Sequence, residues 1–157
     1  MLAADRILTA AGRDRLEHEL EEMKTTRRRE LAGRVAEARD GAYGDEADAA
    51  SLVEVQEEQM LLELRIAEME QTLAISETIE APSTDDGVIR PGCTVTFRDE
   101  DGVDAYELVG PAEANPRAGR ISVSSPVGQA LLGHRVGDEI DAPTPSGIRR
   151  LRIEQVE

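Results

Sequence analysis

Tryptophan is missing from this 157-residue sequence, which holds one phenylalanine, two tyrosines and one cysteine. Three aromatics, Tyr43, Phe97 and Tyr106, are too few for a base-stacking platform or an aromatic-lined ligand pocket. Cys93 by itself can neither close an internal disulfide nor furnish a thiolate metal site, so a reducing compartment is expected. No apolar run approaches the ~20 residues that cross a bilayer, and the opening MLAADRILTAAGRD lacks the apolar stretch and cleavage pattern of a secretory signal. A cytoplasmic protein is expected. Basic residues are also scarce: 18 Lys and Arg stand against 33 Asp and Glu, a net charge of −15. A chain this acidic repels duplex DNA and anionic membranes as a whole, so neither is expected as a direct partner without a local basic patch.

Proline is absent from Thr9 to Thr78, whereas all seven prolines lie from Pro82 onward. The composition therefore predicts two modules, residues 1–80 and 91–157, joined by a polar, turn-rich linker over 81–90. In the first module, Leu52, Val55, Gln59, Leu62, Ile66, Met69 and Leu73 recur at alternating intervals of three and four, a heptad seam broken only by Gln59. Upstream, Leu16, Leu20, Met23, Leu31, Val35 and Ala38 line a face with Arg27 where another apolar residue belongs. Thr9 is placed to cap the first helix. Between the two patterns, DGAYGDEAD carries Gly41 and Gly44 for a reversal, so two long helices run antiparallel with an acidic tip at 40–48. At 1.5 Å per residue, helices of about 30 residues make a rod of ~45 Å, suited to probing a narrow channel rather than enclosing a substrate.

The second module alternates short strand patterns with turns. Residues 94–98, 105–109, 120–123, 139–141 and 148–156 read as strands, and Pro126 to Leu132 as a short helix capped by Ser124 or Ser125 and ended by Gly133. The expected fold is α+β: an antiparallel two-helix coiled coil followed by an antiparallel sheet wrapped on one helix.

Taken together, these residues resemble the bacterial Gre family of transcript-cleavage factors. The likeness runs through LTAAGRDRLEHELEEMK, VAEARDGAYGDEAD, VQEEQMLLELRIAEMEQTL and, most densely, ELVGPAEANPRAGRISVSSPVGQALLGHRVGDEIDAPTPSG. It implies an FKBP-like second domain that docks at the rim of the RNA polymerase secondary channel, with the coiled coil entering that channel. It also implies that tip carboxylates reach the catalytic Mg²⁺ ions of the polymerase, so that the factor lends ligands and is not a free-standing enzyme. No cofactor of its own is implied, and contact with the RNA 3′ end is indirect.

On that likeness Asp45 and Asp48 hold the two acidic tip positions, with Glu46 beside them, and Ser125, Pro126 and Gly133 belong to the docking region. The tip departs from the cleaving members. Asp48 stands where they carry Glu, Ala49, Ala50, Ser51 and Leu52 replace their Asn-Ala-Glu-Tyr, and the stretch between Arg39 and Gly44 is longer. Mg²⁺ holds oxygens at ~2.0–2.1 Å in a near-octahedral shell, so one methylene less of reach matters. These departures favour a modulator or inhibitor over a competent cleavage factor. An adaptor without action at the metals is a further alternative, as is a heptad-driven homodimer to the expected monomer. Arg27 and Arg28, with Arg29, Arg34 and Arg39, form either a basic stripe toward RNA or the channel wall, or ion pairs with neighbouring glutamates. Prolyl isomerase activity is not expected, because Phe97 and Tyr106 are the only aromatics of the second module. His18 and His134 are expected at the surface, and Cys93 as a small apolar packing residue.

Overall fold

The computed structural model describes residues 4–41 and 46–157. The chain divides into two compact units, one formed by Asp14–Ile75 and the other by Met1–Arg13 together with Ser76–Glu157. The boundary expected near residue 80 is thus displaced at both ends. Residues 1–13 and 76–80, expected with the coiled coil, fold with the C-terminal unit. The reason is a parallel ladder between β1 (Ile7–Thr9) and β2 (Glu77–Ile79), in register Ile7 to Glu77 through Thr9 to Ile79. Three-residue strands are too short to stand out by alternation.

The helical unit contains most of α1 (Ala10–Glu22), a π-helical turn (Met23–Arg27), α2 (Arg28–Gly41) and α3 (Glu46–Ile75). Val55, Ile66 and Met69 of the predicted seam are buried, and Met23 packs with Ile66 and Met69, flanked by Leu16, Leu20 and Leu62. The π turn alters the phase of the first helical stretch. Its inward residues run Leu16, Leu20, Met23, Arg28, Leu31, Val35 and Ala38, so the interval after Met23 is five rather than four. The Arg28 N–H donates to the Met23 carbonyl, closing the wider ring, and the Thr25 hydroxyl donates to the Glu21 carbonyl at 2.7 Å. Arg27, expected on the seam, therefore faces outward and Arg28 takes the flanking position.

The C-terminal unit is built on a five-stranded sheet, in order β5 (Arg120–Ser122), β4 (Gly102–Val109), β3 (Thr94–Asp99), β7 (Gly147–Val156) and β6 (Glu139–Thr144). The sheet is mixed, not antiparallel throughout. β4 and β5 pair in parallel because the connection through 110–119, with two 3₁₀ turns at Pro111–Glu113 and Pro116–Ala118, crosses back instead of turning as a hairpin. A register shift between Thr96 and Phe97 bends β3 against β7. Alternate residues Val95 and Phe97 of β3, Leu151 and Ile153 of β7, and Ile140 and Ala142 of β6 point into a core with Cys93, Leu108 and Leu131. The short helix is present as α4 (Pro126–Leu131).

Ile7 joins that core and Leu8 is fully buried, so β1 is an integral part of the unit. Gly110 passes so close that a Cβ there would lie 1.9 Å from the Ile7 carbonyl oxygen. Thr9 caps α1 as expected, its Oγ1 accepting from the Gly12 N–H at 3.0 Å. It is held in turn by Glu113, a buried carboxylate that accepts the Thr9 N–H at 2.8 Å and the Thr9 hydroxyl at 2.6 Å. Gly12 has no room for a side chain, since a Cβ would fall 1.6 Å from Glu113 Oε1. Arg13 completes this end of α1, donating to the Ser76 carbonyl and the Thr78 hydroxyl.

Glu113→Ala leaves two buried Thr9 donors without their acceptor, and should cost about 1–3 kcal/mol in thermal or denaturant unfolding, with Glu113→Gln losing less. Gly110→Ala should destabilise by a comparable amount, about 1–3 kcal/mol, because the clash is with backbone that cannot swing away. Calorimetry of the three variants checks these orderings.

Candidate functional site

The acidic tip joins the end of α2 at Gly41 to the start of α3 at Glu46. Asp45 lies outside the described residues. Glu46 and Asp48 belong to the first turn of α3.

Behind the tip, three cross-helix ion pairs tie α3 to its neighbours. Lys24 Nζ reaches Glu70 at 2.5 Å, Arg28 donates from Nε and Nη2 to both oxygens of Glu63 at 2.7 Å each, and Arg34 meets both oxygens of Glu58 at 2.5 and 3.1 Å. As one partner advances from 24 to 34 the other retreats from 70 to 58, the register of antiparallel helices. Hydrogen bonds from Arg28 and Arg34 hold the Glu63 and Glu58 carboxyls below the ordinary glutamate value. Of the two arginines expected to share one role, Arg28 is committed to α3, while Arg27 is exposed, with Glu22 3.9 Å away. Of the arginine stripe, Arg28 and Arg34 are ion-paired with α3, and Arg27, Arg29 and Arg39 are exposed.

Two of the three expected docking residues, Ser125 and Pro126, stand at the start of α4. Ser125 caps it, its Oγ accepting from the Gly128 N–H at 3.0 Å and donating to the Ser122 carbonyl at 2.7 Å, and Pro126 occupies the first helical turn. Both line an apolar cleft of about 750 Å³ with Tyr106, Ile121, Val127, Pro143, Pro145 and Arg149. Tyr106 leans on Phe97, ring centroids 5.1 Å apart, and is the one aromatic in the lining. Gly133 is not part of this cleft. It follows the other end of α4, where its N–H donates to the Ile89 carbonyl at 2.9 Å. The sequence reading missed Pro143, Pro145 and Arg149, which the β6–β7 turn brings to the cleft. The PTPSG pattern there marked a turn and carried no signal of which surface it closes.

Two family models cover nearly the whole chain. Residues 6–77 match the N-terminal domain of transcription elongation factors, and residues 83–157 match the C-terminal domain of GreA/GreB transcription elongation factors. The chain belongs to the GreA/GreB family. Transcription elongation factor GreA of Chloroflexus aggregans is 42% identical over 151 residues, covering 95% of both chains. GreA of Thermomicrobium roseum is 40% identical over 158 residues, 99% of this chain and all of that one. Among solved structures, GreA factor homolog 1 (Gfh1) of Thermus thermophilus is 32% identical over 98% of this chain and 99% of that chain, with a TM-score of 0.44. No described helix is long and apolar enough to cross a membrane.

For this Gre-family hairpin, the lowered carboxyls of Glu58 and Glu63 set a pH dependence. Their folded pKa lies below the ordinary value of 4.5, so the stability they contribute is complete above that pH and is lost as pH falls through the lowered value. The melting temperature of the helical signal should fall on acidification below about pH 4.5, and Arg28→Ala with Arg34→Ala should flatten that fall. Circular dichroism melts between pH 3 and 6 would show it.

Proposed function

We propose that this chain is an RNA polymerase-binding elongation regulator, in which the C-terminal unit docks on the polymerase and the helical hairpin enters the secondary channel. Asp45 and Asp48, assisted by Glu46, act at the Mg²⁺ site of the polymerase as a modulator or inhibitor of nucleotide addition. The observation that carries the reading is the placement of acidic residues at the opening of a 30-residue helix that returns along α2. At 1.5 Å per residue that helix is ~45 Å long, enough to carry carboxylates deep into a narrow passage.

Carboxylate oxygens are the donors that Mg²⁺ prefers, and two or three of them form a partial set that needs ligands from elsewhere. Among the described residues, no group of three or more His, Cys, Asp or Glu could hold a metal ion within this chain. The chemistry that Mg²⁺ supplies in a polymerase centre is charge stabilisation of attacking and leaving oxygens. The part of this chain is to bring negative oxygens near it. Crowded carboxylates repel one another when no cation lies between them, which favours drawing a cation in. Asp48 reaches one methylene less than Glu would, which supports modulation over efficient cleavage.

A stalled elongation complex with Mg²⁺, scored for shortened RNA and for nucleotide addition, tests this. The wild-type chain should slow nucleotide addition without shortening the transcript, and Asp45→Asn with Asp48→Asn should abolish the effect while binding is retained. Shortened transcripts would identify a cleavage factor instead. An effect that survives both substitutions would identify an adaptor.

A further inference from the structure

Beyond its buried seam, α3 carries a second apolar stripe. Val53, Met60 and Leu64 are 54%, 72% and 57% exposed. At about 100° per residue they lie about 160°, 140° and 180° around the helix from Val55, which is buried in the seam. Ala49 and Ala67 extend the same face at about 120°. The helix thus carries large aliphatic side chains on two opposite sides, the outer row interrupted by Gln71 at about 160°. A two-helix hairpin consumes one such stripe per helix, so the outer one has no role in the fold of its own unit. Single exposed aliphatics are commonplace, but large ones recurring at helical spacing on one line are a recognition pattern for a partner helix.

Charge narrows the kind of helix. Across its 30 residues α3 has eight acidic side chains and one basic, Arg65. Glu58, Glu63 and Glu70 are engaged by Arg34, Arg28 and Lys24. Glu57 and Glu68 fall about 200° and 220° around from Val55, on the edge of the stripe itself, with Glu68 at 3.7 Å from the exposed Arg65. A second copy of α3 would set like charges against them, which disfavours self-pairing. The complement is an aliphatic ridge flanked by lysine or arginine.

We propose that Val53, Met60 and Leu64 seat an amphipathic, Lys/Arg-flanked helix of the polymerase. The identity of the protein supplying that helix rests on the reading above, and the stripe and its acidic edge define its chemistry.

The test is the affinity of the full-length chain for purified core RNA polymerase, compared with Met60→Gln plus Leu64→Gln. Both positions are exposed and glutamine is a good helix former, so the hairpin signal in circular dichroism should be unchanged. Affinity should fall roughly tenfold, as for loss of an apolar anchor pair. Glu57→Gln plus Glu68→Gln should weaken binding and reduce its salt dependence. Equal binding by the Met60→Gln plus Leu64→Gln variant overturns this inference alone. A wild-type chain without affinity for polymerase overturns it together with the reading it rests on. A wild-type dimer in sedimentation that the same variant abolishes assigns the stripe to a second copy and also overturns it.

Discussion

Two antiparallel helices gain their stability by burying aliphatic side chains against each other. The seam of Val55, Ile66 and Met69 against Met23, with Leu16, Leu20 and Leu62 beside it, is what turns residues 14–75 into a unit. Each fully buried aliphatic side chain contributes roughly 1.5–3 kcal/mol before entropic costs, whereas the exposed ion pairs along the flanks contribute little individually. Those pairs set register more than stability. Glu58, Glu63 and Glu70 each meet a cation only when the helices are aligned as observed, so a slip along the axis would strand several charges at once.

The π turn at Met23–Arg27 is where the seam and the flanks are reconciled. A straight α-helix continuing from Leu16, Leu20 and Met23 would aim Arg27 at the apolar partner. One wider turn rotates the chain so that Arg28 arrives at the flank, with both its donors on Glu63. A local departure from regular geometry avoids burying a guanidinium, and it leaves Arg27 outward-facing beside Glu22.

The sequence reading succeeded where hydrophobic period and turn chemistry act alone. The α3 seam, the Thr9 cap, α4 with Ser125 and Pro126, and most strand positions follow from rules that involve near neighbours. It failed where distant segments decide the outcome. Ile7 to Thr9 become a strand because residues 77–79 lie alongside, and Glu113 is buried because Thr9 presents two donors to it. The phase of Arg27 depended on a π turn that periodicity assumes away. The parallel pairing of β4 with β5 depended on the path of the intervening loop. At the site itself, which arginines are occupied and which residues close the apolar cleft are tertiary facts. Pro143 and Arg149 reach that cleft through a hairpin whose sequence only announces a turn.

The β1–β2 ladder makes the helical unit, topologically, an insertion between two strands of its neighbour. During synthesis, Ile7 and Leu8 leave the ribosome long before the sheet that will cover them, and they stay uncovered while the whole hairpin is made. The hairpin, being continuous in sequence, can form first and bring both ends of its own chain side by side. It thereby shortens the loop that the later-made sheet must close around Ile7. A C-terminal fragment that begins after the hairpin would lack this strand and leave a gap in its own core.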